Sequence, residues 1–182
     1  MKGPALIARD KFEDVRGSFE MLIQKDEITI SYPEYQNLVQ INLIVGKLGG
    51  LRGFHVSHPS ANHWKVVTCV SGMVRDAVLD IRPSSQTFGE YAVVDMSSDS
   101  GLALIIPPGF AHAVESLTEN SLTIYGTNIP YSDSKEFEIN PLSGDWKHIW
   151  NENPILSQRD IEAQTWETYK FGLKDTKNEK VI

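Results

Sequence analysis

The chain has 182 residues, 41% of them hydrophobic and 23% charged, an ordinary composition that predicts one globular domain with a sizeable core. Its 24 acidic and 17 basic residues give a net charge of -7, which argues against a nucleic-acid-binding surface but leaves room for a basic pocket that holds one phosphorylated small molecule. The single cysteine, Cys69, excludes an internal disulfide and a cysteine-rich zinc site, and its apolar neighbours predict a buried thiol. The N-terminus lacks the apolar region of a signal peptide, and no apolar run approaches about 18 residues, so we expect a cytoplasmic protein.

Short strands dominate the pattern from residue 38 onward. Residues 73–82 alternate between two unlike sets of side chains with a period of two, which indicates a strand rather than a helix. The predicted strands, separated by turn signals such as Ser71-Gly72, span residues 38–45, 64–70, 73–82, 91–96, 102–106, 112–117 and 121–127. Helical periodicity appears only after Ser157, where SQRD has the form of an N-cap followed by an acidic first turn. So many short strands favour an all-β sandwich or barrel, jelly roll included.

Residues 51–65 read LRGFHVSHPSANHWK and contain three of the five histidines, a density that raises the question of a metal site. Small β-barrels of the cupin type bind a metal through a His-x-His pair, a later Glu, and a third His that follows Pro-x-Gly. The last part is present as Pro107-Pro108-Gly109 followed by His112, but no His-x-His pair occurs in the chain.

The spacing of these histidines also argues against a metal. His55 and His58 are three positions apart, and residues i and i+3 of a strand point to opposite faces of a sheet. Lys65, two residues after His63, would bring a positive charge toward a dication. We therefore expect no bound metal, and we expect His58 and His63 to be exposed histidines in a loop.

A series of short motifs runs from about residue 10 to about residue 164. It comprises Asp14–Glu20 (DVRGSFE), Arg52–His55 (RGFH), Lys65, Ser71-Gly72, Asp80–Gly89 (DIRPSSQTFG), Ile106–His112 (IPPGFAH), Tyr125, Tyr131, Asp145-Trp146 and Leu156–Asp160 (LSQRD). In this order the motifs resemble the dTDP-4-dehydrorhamnose 3,5-epimerase family of nucleotide-sugar epimerases. The resemblance implies a cupin-like jelly-roll barrel with a few short C-terminal helices. It also implies a single domain over residues 1–182, with a core at about 10–164 and a C-terminal tail at 165–182.

The family acts on nucleotide-linked 4-keto-6-deoxy sugars, and the resemblance carries its catalytic residues onto four positions of this chain. His55 and Asp160 fall on a dyad in which neutral imidazole removes a proton next to the ketone while the carboxylate orients the ring. Lys65 matches the residue that stabilises the enolate oxygen. Tyr125 matches the acid that returns a proton from the opposite face. No metal, nicotinamide or flavin is implied, and so no cofactor; whether C3, C5 or both are inverted stays open.

The resemblance also implies residues that bind the nucleotide sugar. Arg16 and Arg52 fall where the family contacts the diphosphate and the sugar, since guanidinium groups suit phosphate oxygens. The other binding positions match Phe19, Glu20, Gln40 and Asn42 around the nucleotide, Tyr131 over the base or sugar, and His112 near the sugar. Structural alternatives stand for some of them: Arg16 and Glu20 as a surface pair, Phe19 in the core, and His112 as a hydrogen-bonded structural histidine.

The chain departs from the family pattern around the sugar pocket, at Phe54, Val56, Ser57, Gly126 and Lys147. These departures leave the dyad intact and leave the identity of the sugar open. Two rival interpretations remain. One is a 3,4-ketoisomerase of the same barrel type, which the matches at the lysine and the aspartate disfavour. The other is a non-catalytic sugar-nucleotide-binding jelly roll, which predicts loss of the dyad.

The resemblance implies a homodimer, with no nucleic-acid or membrane partner. The segment that carries Arg16 and Phe19 precedes the predicted core strands, and its edge would otherwise be left unpaired. We expect this segment to reach across to the pocket of the partner.

Overall fold

The computed structural model describes residues 2–35, 37–58 and 61–178, which form twelve β-strands and three α-helices. The strands are β1 (Ala5–Ala8), β2 (Lys11–Asp14), β3 (Gly17–Glu20), β4 (Gln40–Gly46), β5 (Leu51–Ser57), β6 (Lys65–Ser71), β7 (Met73–Asp80), β8 (Tyr91–Ser97), β9 (Leu102–Ile106), β10 (Phe110–Ser116), β11 (Ser121–Thr127) and β12 (Glu136–Glu138). The helices are α1 (Lys25–Ser31), α2 (Gln158–Ile161) and α3 (Trp166–Asn178).

Two five-stranded antiparallel sheets pack face to face. The first sheet has the strand order β1-β9-β6-β11-β4 and the second has the order β12-β5-β10-β7-β8, while β2 and β3 form a separate hairpin. A buried apolar cluster lies between the sheets, with Val67 and Leu104 from the first and Val78 and Val114 from the second. The chain passes repeatedly from one sheet to the other, so that adjacent strands in a sheet, except β7 and β8, are not consecutive in the chain. This arrangement is a jelly roll and confirms the predicted all-β fold.

The outer face of each sheet is covered by a helix or loop with its own apolar cluster. Phe54 of the second sheet packs edge-to-face against Trp146 and also lies near Trp150, and both tryptophans belong to the segment that follows β12. On the first sheet, Ile28 of α1 and the adjacent Tyr32 are buried. Burying one such side chain stabilises the fold by roughly 1.5–3 kcal/mol. Because these outer layers supply much of the apolar packing, one end of the space between the sheets can hold polar side chains.

The seven predicted strands are all present, with ends that differ from the prediction by at most two residues. The prediction of helix only after Ser157 was wrong, since α1 lies near the N-terminus; it has seven residues and no side-chain cap at Gln24, so its local signal is weak. Much of the segment treated as a tail forms α3, whose Trp166 packs into the outer cluster. No helix in the described ranges is long and apolar enough to span a membrane.

Candidate active site

His55 and Asp160 meet beside strand β5 of the second sheet although they are 105 positions apart in the chain. His55 lies on β5, between His112 of β10 and Glu138 of β12, which are its partners across the two ladders. The segment after β12 folds back beside β5, and α2 places the Asp160 carboxylate 2.7 Å from Nε2 of His55. The structure therefore brings together the two residues that the resemblance paired.

The Asp160 carboxylate is held from both sides. Ser157 caps α2 by accepting a hydrogen bond from the Asp160 backbone N–H, and its hydroxyl donates to Oδ2 of Asp160 at 2.7 Å. Burial favours the protonated acid, but the hydrogen bonds from His55 and Ser157 outweigh it and hold the pKa of Asp160 below its usual range. An ionised carboxylate only accepts, so Nε2 of His55 carries the proton in this pair. The lone pair of the neutral imidazole is then on Nδ1, which is the atom able to act as a base.

A second charged pair, between Lys65 and Glu136, connects the two sheets across the interior. Nζ of Lys65, the first residue of β6, donates to Oε1 of Glu136 on β12 at 2.6 Å, and each side chain is only 11% exposed. Burial would raise the pKa of Glu136, but the Lys65 charge and hydrogen bond lower it overall. Tyr125 lies on β11 next to β6, and burial followed by the Glu136 charge raises its pKa. The phenol therefore keeps its proton at neutral pH and can serve as an acid.

The residues expected to bind the sugar nucleotide fall into two groups, the first of which lies around the pocket. Gln40 and Asn42 on β4 are joined by a 2.6 Å hydrogen bond, and Gln40 also accepts from the backbone N–H of Tyr131. Tyr131 is exposed, and its hydroxyl accepts from Arg159, the neighbour of Asp160. Arg52 is exposed on β5, three positions before the histidine of the dyad. Hydrogen bonds therefore link Gln40, Asn42, Tyr131 and Arg159, while Arg52 is exposed on the strand of His55.

His112 forms a second His–Asp pair, because its Nε2 hydrogen-bonds to Oδ1 of Asp76 on the adjacent strand β7. Asp76 is fully buried and its other oxygen has no hydrogen-bond partner within the described part of the chain. Both the structural interpretation and the binding interpretation of His112 are compatible with this pair.

The second group of expected binding residues lies on the β2–β3 hairpin. Arg16 hydrogen-bonds to Asp14 at 2.5 Å, whereas Glu20 forms an ion pair with Arg9, so the alternative of an Arg16–Glu20 pair is wrong. Phe19 is 64% exposed, which excludes the core alternative. Within the described ranges, the polar side-chain contacts of this hairpin are to its own residues and to Arg9 of the adjacent segment, not to the dyad.

His63 corrects one expectation. His58 is exposed as expected, but His63 is 7% exposed, and its Nδ1 lies 2.6 Å from the Ser57 hydroxyl. Burial, reinforced by the nearby charge of Lys65, lowers the pKa of His63 to about 4, so the ring is neutral at pH 7. The prediction failed because the loop composition of residues 58–62 masked the start of β6, which draws His63 into the barrel.

Sequence reasoning missed three further polar residues of the site: Glu136, Ser157 as a partner of Asp160, and Asp76. The first could have been found from the alternation Glu136-Phe137-Glu138, which is a short strand pattern with two carboxylates on one face. Among the described residues, no group of three or more His, Cys, Asp or Glu side chains is arranged to hold a metal ion.

The fold defines the class of the protein, a jelly-roll β-sandwich, and its interior holds two His–Asp pairs and a Lys–Glu pair. Residues 1–168 match the family described as dTDP-4-dehydrorhamnose 3,5-epimerase, and the chain belongs to that family of isomerases. A dTDP-4-dehydrorhamnose 3,5-epimerase of Streptomyces griseus is 30% identical over 165 residues, which are 90% of this chain and 82% of the relative. A dTDP-4-dehydro-6-deoxyglucose 3-epimerase of Streptomyces bikiniensis is 33% identical, over 76% of this chain and 72% of the relative.

Solved structures show the same fold. A 4-keto-6-deoxy sugar epimerase from the novobiocin gene cluster of Streptomyces spheroides superposes with a TM-score of 0.88 at 27% identity, over 94% of this chain and 86% of that one. An epimerase of Legionella pneumophila, solved with dTDP-4-keto-L-rhamnose, superposes with a TM-score of 0.80 at 29% identity, over 89% of this chain and 87% of that one.

Proposed function

We propose that the protein inverts C3, C5 or both of a nucleotide-linked 4-keto-6-deoxy sugar, as a step of deoxysugar biosynthesis. The observation that carries the proposal is the His55–Asp160 pair, in which a buried carboxylate with a lowered pKa hydrogen-bonds to the imidazole and orients it. The dTDP-sugar complexes of the structural neighbours support the same substrate class. We propose that residues 1–182 belong to a single domain.

The proposed reaction is a proton exchange through an enolate. A hydrogen on the carbon next to the C4 ketone is weakly acidic, and Nδ1 of His55 removes it while Asp160 stabilises the resulting imidazolium. The negative charge that develops on the former carbonyl oxygen is stabilised by the Lys65 ammonium. Tyr125 then donates its phenolic proton to the carbon from the opposite face. Solvent reprotonates the phenolate and accepts the proton from the imidazolium, so that the substrate is inverted and the enzyme is regenerated.

Proton NMR of the sugar in heavy water tests this proposal, with a dTDP-linked 4-keto-6-deoxyhexose as the substrate. We expect exchange at C3, C5 or both, accompanied by inversion, and no exchange with His55→Asn. General-base contributions are typically about 10²–10⁴-fold, and the loss of the dyad should reach the upper end. Asp160→Asn should slow the exchange less than His55→Asn does, because the imidazole remains. The double variant should be hardly slower than His55→Asn alone, because residues that act as a unit are non-additive.

Three outcomes separate the alternatives. Substrate that binds without exchange would indicate a binding protein and would contradict the proposal. Migration of the carbonyl from C4 to C3 would identify a ketoisomerase. Exhaustive chelation should leave turnover unchanged, and activity that returns only after addition of zinc, iron or manganese would make His55 a ligand rather than a base. His148→Gln, which replaces an exposed histidine, is the matched control.

We also propose that two copies form a homodimer in which the β2–β3 hairpin of one copy completes the pocket of the other. Arg16 and Phe19 are exposed on that hairpin, although the resemblance assigns them to the nucleotide site. The edge strand β4 adds support, since its outward face exposes Ile41, Leu43 and Val45 by 68%, 59% and 56%. A second copy would cover this apolar row.

A further inference from the structure

Strand β12 is only three residues long, but it places a carboxylate inside the barrel. Glu136 lies opposite Ser57 of β5, and Glu138 lies opposite His55. Phe137, between them, points to the other face and stacks on Tyr169 of α3, with ring centroids 5.8 Å apart. The alternation of the strand therefore fixes Glu136 toward the interior while the aromatic residue anchors it from outside.

Glu136 is a largely buried carboxylate that the proposed mechanism does not use. Its Oε1 accepts from Nζ of Lys65 at 2.6 Å, and both side chains are almost completely shielded from water. The Lys65, His55 and His63 side chains all lower the pKa of Glu136, and Glu136 in turn raises that of Tyr125. Glu136 thus interacts with the proposed base, the proposed acid and the proposed oxyanion donor together.

We propose that Glu136 is a positioning residue that acts through Lys65, a role that rests on the proposed epimerase function. A lysine has a long, flexible stem, and a buried ammonium without a counter-ion is unstable and tends to lose its proton. The Glu136 carboxylate supplies that counter-ion and fixes Nζ in one place, using one of its three N–H donors. The remaining donors can then bind the substrate oxygen as its charge develops, without a search through side-chain conformations.

Glu136→Gln tests the role, because it keeps the shape of the side chain and removes its charge. We expect exchange of the substrate proton in heavy water to slow by about 10²–10³-fold, the usual cost of losing an oxyanion donor, with little change in dTDP affinity. We also expect the alkaline limb of the pH–rate profile to move to lower pH, because the ammonium has lost its counter-ion. His55, His63 and Tyr125 also interact electrostatically with this carboxylate. His63→Gln must therefore not reproduce that shift, and the shift must disappear in a Lys65→Met background, where no ammonium remains. Glu136→Asp should restore part of the rate.

Two comparisons make the test specific. Glu167→Gln removes the carboxylate of another 2.6 Å lysine–glutamate pair, on the exposed face of α3, and should leave the rate unchanged. In a Lys65→Met background, Glu136→Gln should hardly lower the exchange rate further, because Glu136 acts through the lysine. The inference would be overturned if the double variant were slower than Lys65→Met by the full factor seen for Glu136→Gln alone. It would also be overturned if the Glu136→Gln enzyme had the wild-type rate.

A spectroscopic readout separates this inference from the proposed function. The protected Lys65 ammonium signal in nitrogen-15 lysine spectra, assigned by its absence in Lys65→Met, reports the ion pair without turnover. We expect the signal in the wild-type protein and its loss or shift in Glu136→Gln. An inactive wild-type enzyme with an intact signal would refute the epimerase proposal, whereas an unchanged signal in Glu136→Gln would refute the role of Glu136.

Discussion

Tyr125 illustrates how burial and a neighbouring charge assign a chemical role to one residue. Because both effects raise its pKa, the phenol keeps its proton throughout the neutral range. We expect Tyr125→Phe to retain solvent exchange at the acidic carbon and to lose net inversion, because the enolate forms but is not protonated from the far face. NMR of exchange and of product stereochemistry in heavy water distinguishes the two events.

The control for this variant is Tyr91→Phe, which removes a hydroxyl from the outer face of the second sheet. If Tyr125→Phe inverts the centre at the wild-type rate, the acid lies elsewhere, and Tyr131 at the rim becomes the next candidate.

His63 gives a pH dependence of stability whose sign follows from its environment. Its pKa is about 4 in the folded protein against 6.5 for the free side chain, so between these values the unfolded chain binds one more proton than the folded protein. Stability therefore increases with pH across this window and is lost on acidification from 6.5 toward 4. Each pH unit in this window changes the free energy of unfolding by about 1.4 kcal/mol. Titration of His63 alone should therefore lower that free energy by about 2 kcal/mol between pH 6.5 and 5.

Urea unfolding at pH 6.5 and at pH 5 measures that loss. The loss should shrink in His63→Gln, because the titrating ring is gone, and should persist in His148→Gln, which replaces an exposed histidine. An equal loss in all three proteins would show that His63 does not titrate in this way.

At the scale of single residues, the resemblance located the dyad, whereas spacing alone misjudged His63. A contact across the barrel joins residues that are distant in the chain, so it cannot be predicted from the residues on either side of each one. The loop composition before β6 outweighed the fact that His63 is only two residues from a buried strand position. Glu136 was missed for the same reason, since its importance comes from a lysine 71 positions away.

Helix α2 has only four residues, and its cap performs two tasks. The Ser157 side chain accepts from the backbone of Asp160 and donates to its carboxylate. We expect Ser157→Ala to lower the free energy of unfolding by about 1 kcal/mol, the usual cost of losing a cap. It should also slow the reaction, because one of the hydrogen bonds that lower the pKa of Asp160 disappears.

Urea unfolding and kcat/KM measure the two effects. Ser157→Thr keeps the hydroxyl and should retain both properties. Lower stability with unchanged kcat/KM would restrict Ser157 to capping.

Among the helices and strands, those with strong local sequence signals were predicted correctly, whereas several short ones were missed. The SQRD motif predicted the cap at Ser157, and β-branched and aromatic runs between turn signals, with clear alternation in residues 73–82, predicted the seven central strands. Strand β5 was missed because Gly53 and the nearby histidines gave it the composition of a loop. Strand β12 and helix α1 were missed because they are short and depend on packing against the sheets.

For the whole molecule, the apolar row on β4 predicts that association is required for activity. We expect the protein to sediment at twice the mass of the chain, and Leu43→Glu to dissociate it by placing a charge in the interface. Activity should fall with dissociation, because the partner's hairpin leaves the pocket. Analytical ultracentrifugation and the exchange assay at the same concentrations measure both.

Phe171→Glu is the control for this variant, since it replaces another apolar residue of similar exposure, on α3. A wild-type protein that is monomeric at micromolar concentration and fully active would refute the dimer proposal. Neither the strand order of the two sheets nor this edge follows from local sequence, because both depend on pairings between distant segments.

The separation of His55 from Asp160 also has a consequence for how the protein is made. At about 5–20 residues per second, a ribosome needs roughly 5–20 seconds to add the 105 residues between them. During that interval the nascent chain carries the base without the carboxylate that orients it. A chain that stops between residues 139 and 159 contains every strand described here and yet lacks half of the dyad. Catalysis that depends on the dyad would therefore require translation to pass residue 160.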